Sequence, residues 1–200
     1  IYDAFICGSD QIWNPSLTSL DSFYWLNFVE KNKLKIAYAP SVGINKFSDE
    51  EKYIVKNNLK SFDGISCREN SGTSAINDAL SENKCITVLD PTLIVDKEYW
   101  NKISNKRKIK QKYIFTYLLR GTKKQRKEIE KFAKENNLVI VTIPFLECDN
   151  INFYDFKFGD IKIWDADPSD FVSLIRYAEY VFTDSFHSMI FSTIYHKEFY

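Results

Sequence analysis

Short apolar runs of strand length alternate with amphipathic helical stretches along this chain, and the alternation happens twice. The first series of runs is "YDAFIC", "KIAYAPSVG", "DGISC" and "CITVLDP"; the second is "YIFTYLL", "LVIVTIPF", "IKIW" and "YVFTD". Strands separated by helices pair in parallel through crossovers, so the rhythm predicts an α/β fold with mainly parallel sheets. The helical stretches carry their own start signals. Ser48 with Glu51 three positions on is a capping box, and Ile54, Val55 and Leu59 then share one face. Further helices are expected near Thr73 to Leu80, from Asp96 to Ser104, and through Ile129, Phe132 and Ala133. After Trp164, Asp167 stands as N-cap with Pro168 at the first helical position, and Phe171, Leu174, Ile175 and Ala178 line one face.

Between the two series lies "NKRKIKQK", a basic run without periodicity. It divides the chain into an expected N-terminal domain, 1–104, a linker, 105–111, and a C-terminal domain, 112–200. With 44% hydrophobic residues, 200 residues are ample for packed cores. Twenty-seven basic residues balance 27 acidic ones, which removes the overall field expected of a nucleic-acid binder. No apolar run approaches the roughly 20 residues that span a bilayer, so at most a peripheral membrane contact is expected and the cytoplasm is the default location. The first residue is Ile and the last segment is "HKEFY", which reads as a fragment open at both ends.

Cys7, Cys67, Cys85 and Cys148 are far apart and show no C-x-x-C, which points to buried reduced thiols. No metal and no cofactor is expected: the two histidines, His187 and His196, are nine positions apart, and Asp165 and Asp167 of "DAD" are better explained by the helix cap than by an ion. His196 reads as surface or core filling, and the basic runs as solvated surface.

Two strand ends switch abruptly from apolar to small and polar residues. In "FICGSDQIWNP", Gly8, Ser9, Asp10 and Gln11 follow the strand directly and Asn14-Pro15 closes the turn. In "YVFTDSFHSMI", Asp184, Ser185, His187 and Ser188 open a helix. Ligands of open parallel sheets bind beyond the carboxyl ends of the strands, where helix N-termini point N–H groups outward. The first cluster offers hydroxyl, carboxylate and amide partners to a polyol or an anion; the alternative is a polar turn. Arg68 follows "DGISC" at another strand end, where it suits an anion, the alternative being a salt bridge to Glu69 or Asp63. His187 sits where the positive end of a helix favours the neutral, proton-exchanging imidazole; the alternative is a histidine bonded to a nearby carbonyl.

"GSDQIWNP", "SCREN", "LDPTLIVD" and "TDSFHSMIFSTIYHKEFY" occur in the order and approximate spacing of the polysaccharide pyruvyl transferase family, which the chain resembles over nearly its whole length. The resemblance implies two Rossmann-like domains facing a cleft, a GT-B-like arrangement. It also implies transfer of a pyruvyl group from phosphoenolpyruvate to two hydroxyls of a glycan or lipid-linked saccharide, leaving a ketal. His187 and Arg68 match the family's histidine and arginine and are the expected catalytic residues. Gly8, Ser9, Asp10, Gln11, Asn14, Asp184, Ser185 and Ser188 are the expected substrate-binding residues. Ser185 stands where some members have arginine, and Ser188 and Glu198 where glycine and proline are common. Arg120, at the end of "YIFTYLLRG", is placed by position alone to substitute for that arginine. The alternatives are a nucleotide-sugar glycosyltransferase and a non-catalytic glycan-binding relative.

Overall fold

The structure, a computed structural model, describes residues 2–145, 154 and 156–200. Cys148 lies outside the described residues. The chain divides into two compact units, Ile1–Ile94 and Val95–Tyr200.

In the first unit, strands β1 (Ala4–Cys7), β2 (Leu34–Ala37), β3 (Gly64–Cys67) and β4 (Ile86–Thr87) pair in parallel in the order β1-β2-β3-β4. A short helix α1 (Pro15–Thr18) and a 3-10 turn (Ser22–Trp25) lie between β1 and β2; α2 (Asp49–Leu59) and α3 (Asn70–Leu80) connect the later strands, and α4 (Pro91–Ile94) ends the unit. Because each right-handed crossover steps the same way along the sheet, the helices collect on one face. Cys7, Ala37, Ile65 and Cys67 meet Val55 and Leu59 of α2 and Ala75, Ile76 and Ala79 of α3 there. The two fully buried tryptophans, Trp13 and Trp25, stack at 4.7 Å between centroids and complete that core. The alternate residues, Ile6, Leu34 and Ile86, are exposed on the opposite face.

The capping box of α2 forms as the spacing predicts: Ser48 Oγ accepts from Glu51 N–H at 3.2 Å and Glu51 Oε2 accepts from Ser48 N–H at 2.7 Å. Helix α3 starts earlier than its apolar pattern indicates. Its N-cap residue, Glu69, makes no side-chain cap; Oε1 instead accepts from Ser41 Oγ (3.0 Å) and Val42 N–H (2.9 Å), tying the helix start to the loop after β2.

The second unit opens with α5 (Lys97–Ile103), N-capped by Asp96 through a 2.8 Å bond from Tyr99 N–H. This helix packs within the second unit, Trp100 edge-on to Phe191 at 4.8 Å and Arg176 Nη1 donating to Ser104 Oγ at 2.8 Å. The basic run 105–111 therefore lies inside that unit, and the division of the chain falls earlier, between Ile94 and Val95. Asn105 N–H bonds Ser169 O, and Arg107 donates to the carbonyls of Ile109 and Gln111, so the run has partners of its own.

Among the described residues five parallel strands follow: β5 (Tyr113–Tyr117), β6 (Val139–Thr142), β7 (Ile161–Lys162), β8 (Tyr180–Thr183) and β9 (Glu198–Phe199), in the spatial order β7-β6-β5-β8-β9. Helix α6 (Lys123–Glu135) joins β5 to β6, α7 (Pro168–Tyr177) precedes β8, and α8 (Phe186–Ile194) joins β8 to β9. This is a doubly wound order that reverses between β5 and β8, and it puts cores on both faces of the sheet. Tyr113, Phe115 and Val181 face α7 and α8, while Ile114 and Ile140 face α6. Asp167 caps α7 through a 2.7 Å bond from Asp170 N–H, the role its position before Pro168 implies. Cys7 and Cys67 are buried and free, their thiols pushed up to about 12 by desolvation, and burial raises Cys85 to about 11. No described helix is long and apolar enough to cross a membrane.

Candidate functional site

The carboxyl ends of β1, β3 and β4 converge on one ion network, buried at Asp90 and exposed at Asp10. Arg68, directly after β3, donates from Nη1 to Asp90 Oδ2 at 3.1 Å and from Nη2 to Asp10 Oδ1 at 3.0 Å; its Nε lies 3.9 Å from Glu69 Oε2. Asp90, beyond β4, also accepts from Ser9 Oγ on Oδ2 (2.7 Å) and from Thr92 N–H (3.0 Å) and Oγ1 (2.6 Å) on Oδ1. Burial alone would raise the Asp90 carboxyl. The bonds from Thr92, Ser9 and Arg68 outweigh it and hold the group below the usual carboxylate range. Of the two alternative salt-bridge partners for Arg68, Glu69 stands within ion-pair distance through Oε2, while its Oε1 serves the loop after β2, and Asp63 lies elsewhere, taking Lys35 N–H at 2.8 Å.

The polar cluster after β1 splits in two. Ser9 and Asp10 join Arg68 and Asp90. Gln11 and Asn14 bond each other, Asn14 Nδ2 donating to Gln11 Oε1 at 2.6 Å, and Asn14 Oδ1 caps α1 by accepting Ser16 N–H at 3.0 Å. For these two, the polar-turn reading describes the structure. Gly8 is required for the close approach of β1 to β2: at φ +115°, a Cβ on it would stand 2.0 Å from Tyr38 O. Gly8→Ala should cost at least about 1–3 kcal/mol of backbone strain before the clash is counted, visible as a lower urea midpoint. An unchanged midpoint would show that the loop can shift.

In the second unit, the two strands at which the order reverses are tied by one carboxylate. Asp184, after β8, accepts Leu119 N–H on Oδ1 (2.6 Å) and Arg120 N–H on Oδ2 (2.8 Å), both from the loop after β5. Thr183 Oγ1 donates to Tyr117 O at 2.6 Å beside it. The backbone of Arg120 is thus fixed at the edge where α8 begins. Ser185 is the N-cap of α8, its Oγ 3.5 Å from Ser188 N. His187 occupies the second helical position, half-buried and edge-on to Phe186 at 5.4 Å. Ser188 is fully buried, and its Oγ has no hydrogen-bond partner among the described residues. His196 is exposed.

The polar residues thus stand at the carboxyl edges of two parallel sheets, where α/β proteins hold their ligands. The model of the family described as polysaccharide pyruvyl transferase matches residues 1–200, the whole chain. The chain belongs to the polysaccharide pyruvyl transferase family. No curated protein matched it. Among solved structures, a protein from Listeria monocytogenes assigned as a UDP-N-acetylglucosamine 2-epimerase is similar, with a TM-score of 0.62 and 12% identity, over 98% of this chain and 56% of that one. The wall teichoic acid polymerase TagF is similar over 85% of this chain and 48% of its own, with a TM-score of 0.46 and 13% identity. The chain therefore spans about half the length of these structures. The Listeria likeness agrees with two parallel α/β units and shows the fold alone.

Sequence reasoning placed Arg68, Ser9, Asp10, Asp184 and His187 at strand ends and overlooked Asp90. The missed signal was the Asp-Pro of "LDPTLIVD", a carboxylate directly before α4 whose Thr92, two residues on, can satisfy it locally.

Proposed function

We propose that this chain transfers a pyruvyl group from phosphoenolpyruvate to two hydroxyls of a glycan or lipid-linked saccharide, forming a ketal, in the cytoplasm and without a bound cofactor. The observation that carries this is the family match over the full chain, joined to the placement of the matching arginine and histidine at the carboxyl edges of their sheets. In the reaction two hydroxyl oxygens bond to the carbon that carried phosphate, and the C–O bond to phosphate breaks. The two hydroxyl protons end on the methylene carbon, which becomes methyl, and on the departing phosphate. His187 takes the acid/base role, since a group is needed near neutral pH that accepts a proton from the attacking hydroxyl and gives one to the methylene carbon. Arg68 grips the donor's anionic oxygens, Ser9 and Ser185 offer hydroxyls to the donor or the saccharide, and Asp10 and Asp184 accept from saccharide hydroxyls.

Phosphate release from phosphoenolpyruvate in the presence of saccharide acceptors tests the reading directly. Arg68→Lys should weaken donor binding by at least tenfold, because lysine keeps the charge and loses the planar fork that meets two oxygens at once. Unchanged affinity removes Arg68 from donor binding. A melt stabilised by UDP-hexose and indifferent to phosphoenolpyruvate would favour a nucleotide-sugar transferase instead.

A further inference from the structure

The two carboxylates that hold Arg68 are of unequal standing. The Asp90 side chain is 1% exposed and spends both oxygens on Ser9, Thr92 and Arg68. The Asp10 side chain is 63% exposed. It receives Arg68 Nη2 and Gln11 N–H, both on Oδ1, and Oδ2 bonds nothing among the described residues. The backbone of Asp10 is pinned by a 2.7 Å bond from Ser41 N–H to its carbonyl, in the left-handed region (φ 64°) that aspartate tolerates. The side chain can therefore turn about its own torsions while the chain stays in place.

We propose that Asp10 is a displaceable counter-ion: its carboxylate stands where an anionic oxygen of a phosphate- or carboxylate-bearing ligand meets Arg68, and it gives up that place when the ligand binds. The proposal rests on the reading of Arg68 as the donor's clamp. In the free protein Asp10 adds a second close carboxylate, beside Asp90, to a guanidinium whose side chain is only 7% exposed. An incoming anion would otherwise add a further negative group to an arginine that already faces Asp90, Asp10 and Glu69. Asp90 cannot yield without withdrawing an acceptor from Ser9, Thr92 and Arg68 together, and Glu69, the more distant at 3.9 Å, is held by Ser41 and Val42 through Oε1, so Asp10 is the group that moves. The exchange also selects among anions. A planar carboxylate or a phosphate replaces the lost bond to Arg68 in kind, and a spherical halide does so poorly. Asp10 thereby sets which ligands gain entry, and how tightly.

The test is calorimetric titration of the full chain with inorganic phosphate and, separately, with phosphoenolpyruvate, at low and high ionic strength. Asp10→Asn keeps a side-chain oxygen for Arg68 and Gln11 but removes the competing charge. It should tighten phosphate by about 5- to 50-fold, the scale of one charge-assisted bond no longer contested. Glu30→Gln, which removes an exposed carboxylate outside the network, should leave affinity within about twofold, since screening in salt erases such distant effects. Affinity in Asp10→Asn equal to or weaker than in the unaltered chain overturns the displacement. If Arg68→Lys still weakens binding in that case, the clamp reading stands without it. If neither the unaltered chain nor Asp10→Asn binds either anion, the clamp falls and the counter-ion proposal falls with it. Matched melting curves for the variants ensure that an affinity change is not lost folding.

Discussion

His187→Gln should lower turnover by about 10²- to 10⁴-fold while donor affinity stays within a few fold and the melting temperature changes by no more than a few degrees. The imidazole stands at the second position of α8, where unbonded N–H groups and the helix dipole meet the end of β8. Glutamine preserves helix packing and some hydrogen bonding but cannot take a proton from a hydroxyl and give one to the methylene carbon. Because His187 is only half-buried, folding should tolerate the change. The alternative is a structural histidine whose bonds hold the start of α8; its loss would depress melting, donor binding and turnover together. Phosphate release and a thermal melt on one sample therefore separate the two. Normal turnover would remove His187 from the chemistry, and a collapsed melt with normal specific activity in the folded fraction would assign it to structure.

The fold was legible because apolar runs and caps announce themselves locally. Val55 and Leu59, read from helical spacing, are fully buried in α2, and Asp167 caps α7 where Pro168 required a helix to start. The division of the chain was read less well. The run 105–111 looked like a linker because it lacks periodicity, yet its backbone and arginine are satisfied by Ser169, Ile109 and Gln111, contacts that charge and spacing do not encode. The same limit applies to the site. Strand ends are visible in sequence, so Arg68, Asp10 and Asp184 could be placed at sheet edges. Which groups meet there depends on strand order. Arg68 joins Asp10, 58 positions away, and Asp90, 22 positions away, because β1, β3 and β4 end at the same edge, and its neighbour in sequence, Glu69, is drawn off by the loop after β2. Likewise the bond from Asp184 to the loop after β5 follows from the reversal of strand order between β5 and β8, which no local pattern reports.

Asp90→Ala should be the most destabilising single change at this edge, lowering the stability of the first unit by about 3–5 kcal/mol at neutral pH, because it takes the buried carboxylate from the Arg68 guanidinium and from the Ser9 and Thr92 hydroxyls at once. Asp90→Asn keeps two polar atoms in place and should cost less, about 1–3 kcal/mol. The pH dependence gives a second handle. Desolvation works to raise the Asp90 carboxyl, but its hydrogen bonds win and the folded protein holds it lower than the unfolded chain does. A depressed carboxyl contributes stability that is complete above the unfolded value, about 4, and is lost as pH falls through the folded one. The gap between the unaltered chain and Asp90→Ala in urea denaturation should accordingly be widest near pH 7 and narrow progressively below about pH 4, as the native carboxylate protonates and its advantage disappears. A gap under about 1 kcal/mol at pH 7 would mean that Arg68 finds other partners, and that the edge is held by the backbone pairing of β1, β2 and β3 rather than by this buried carboxylate.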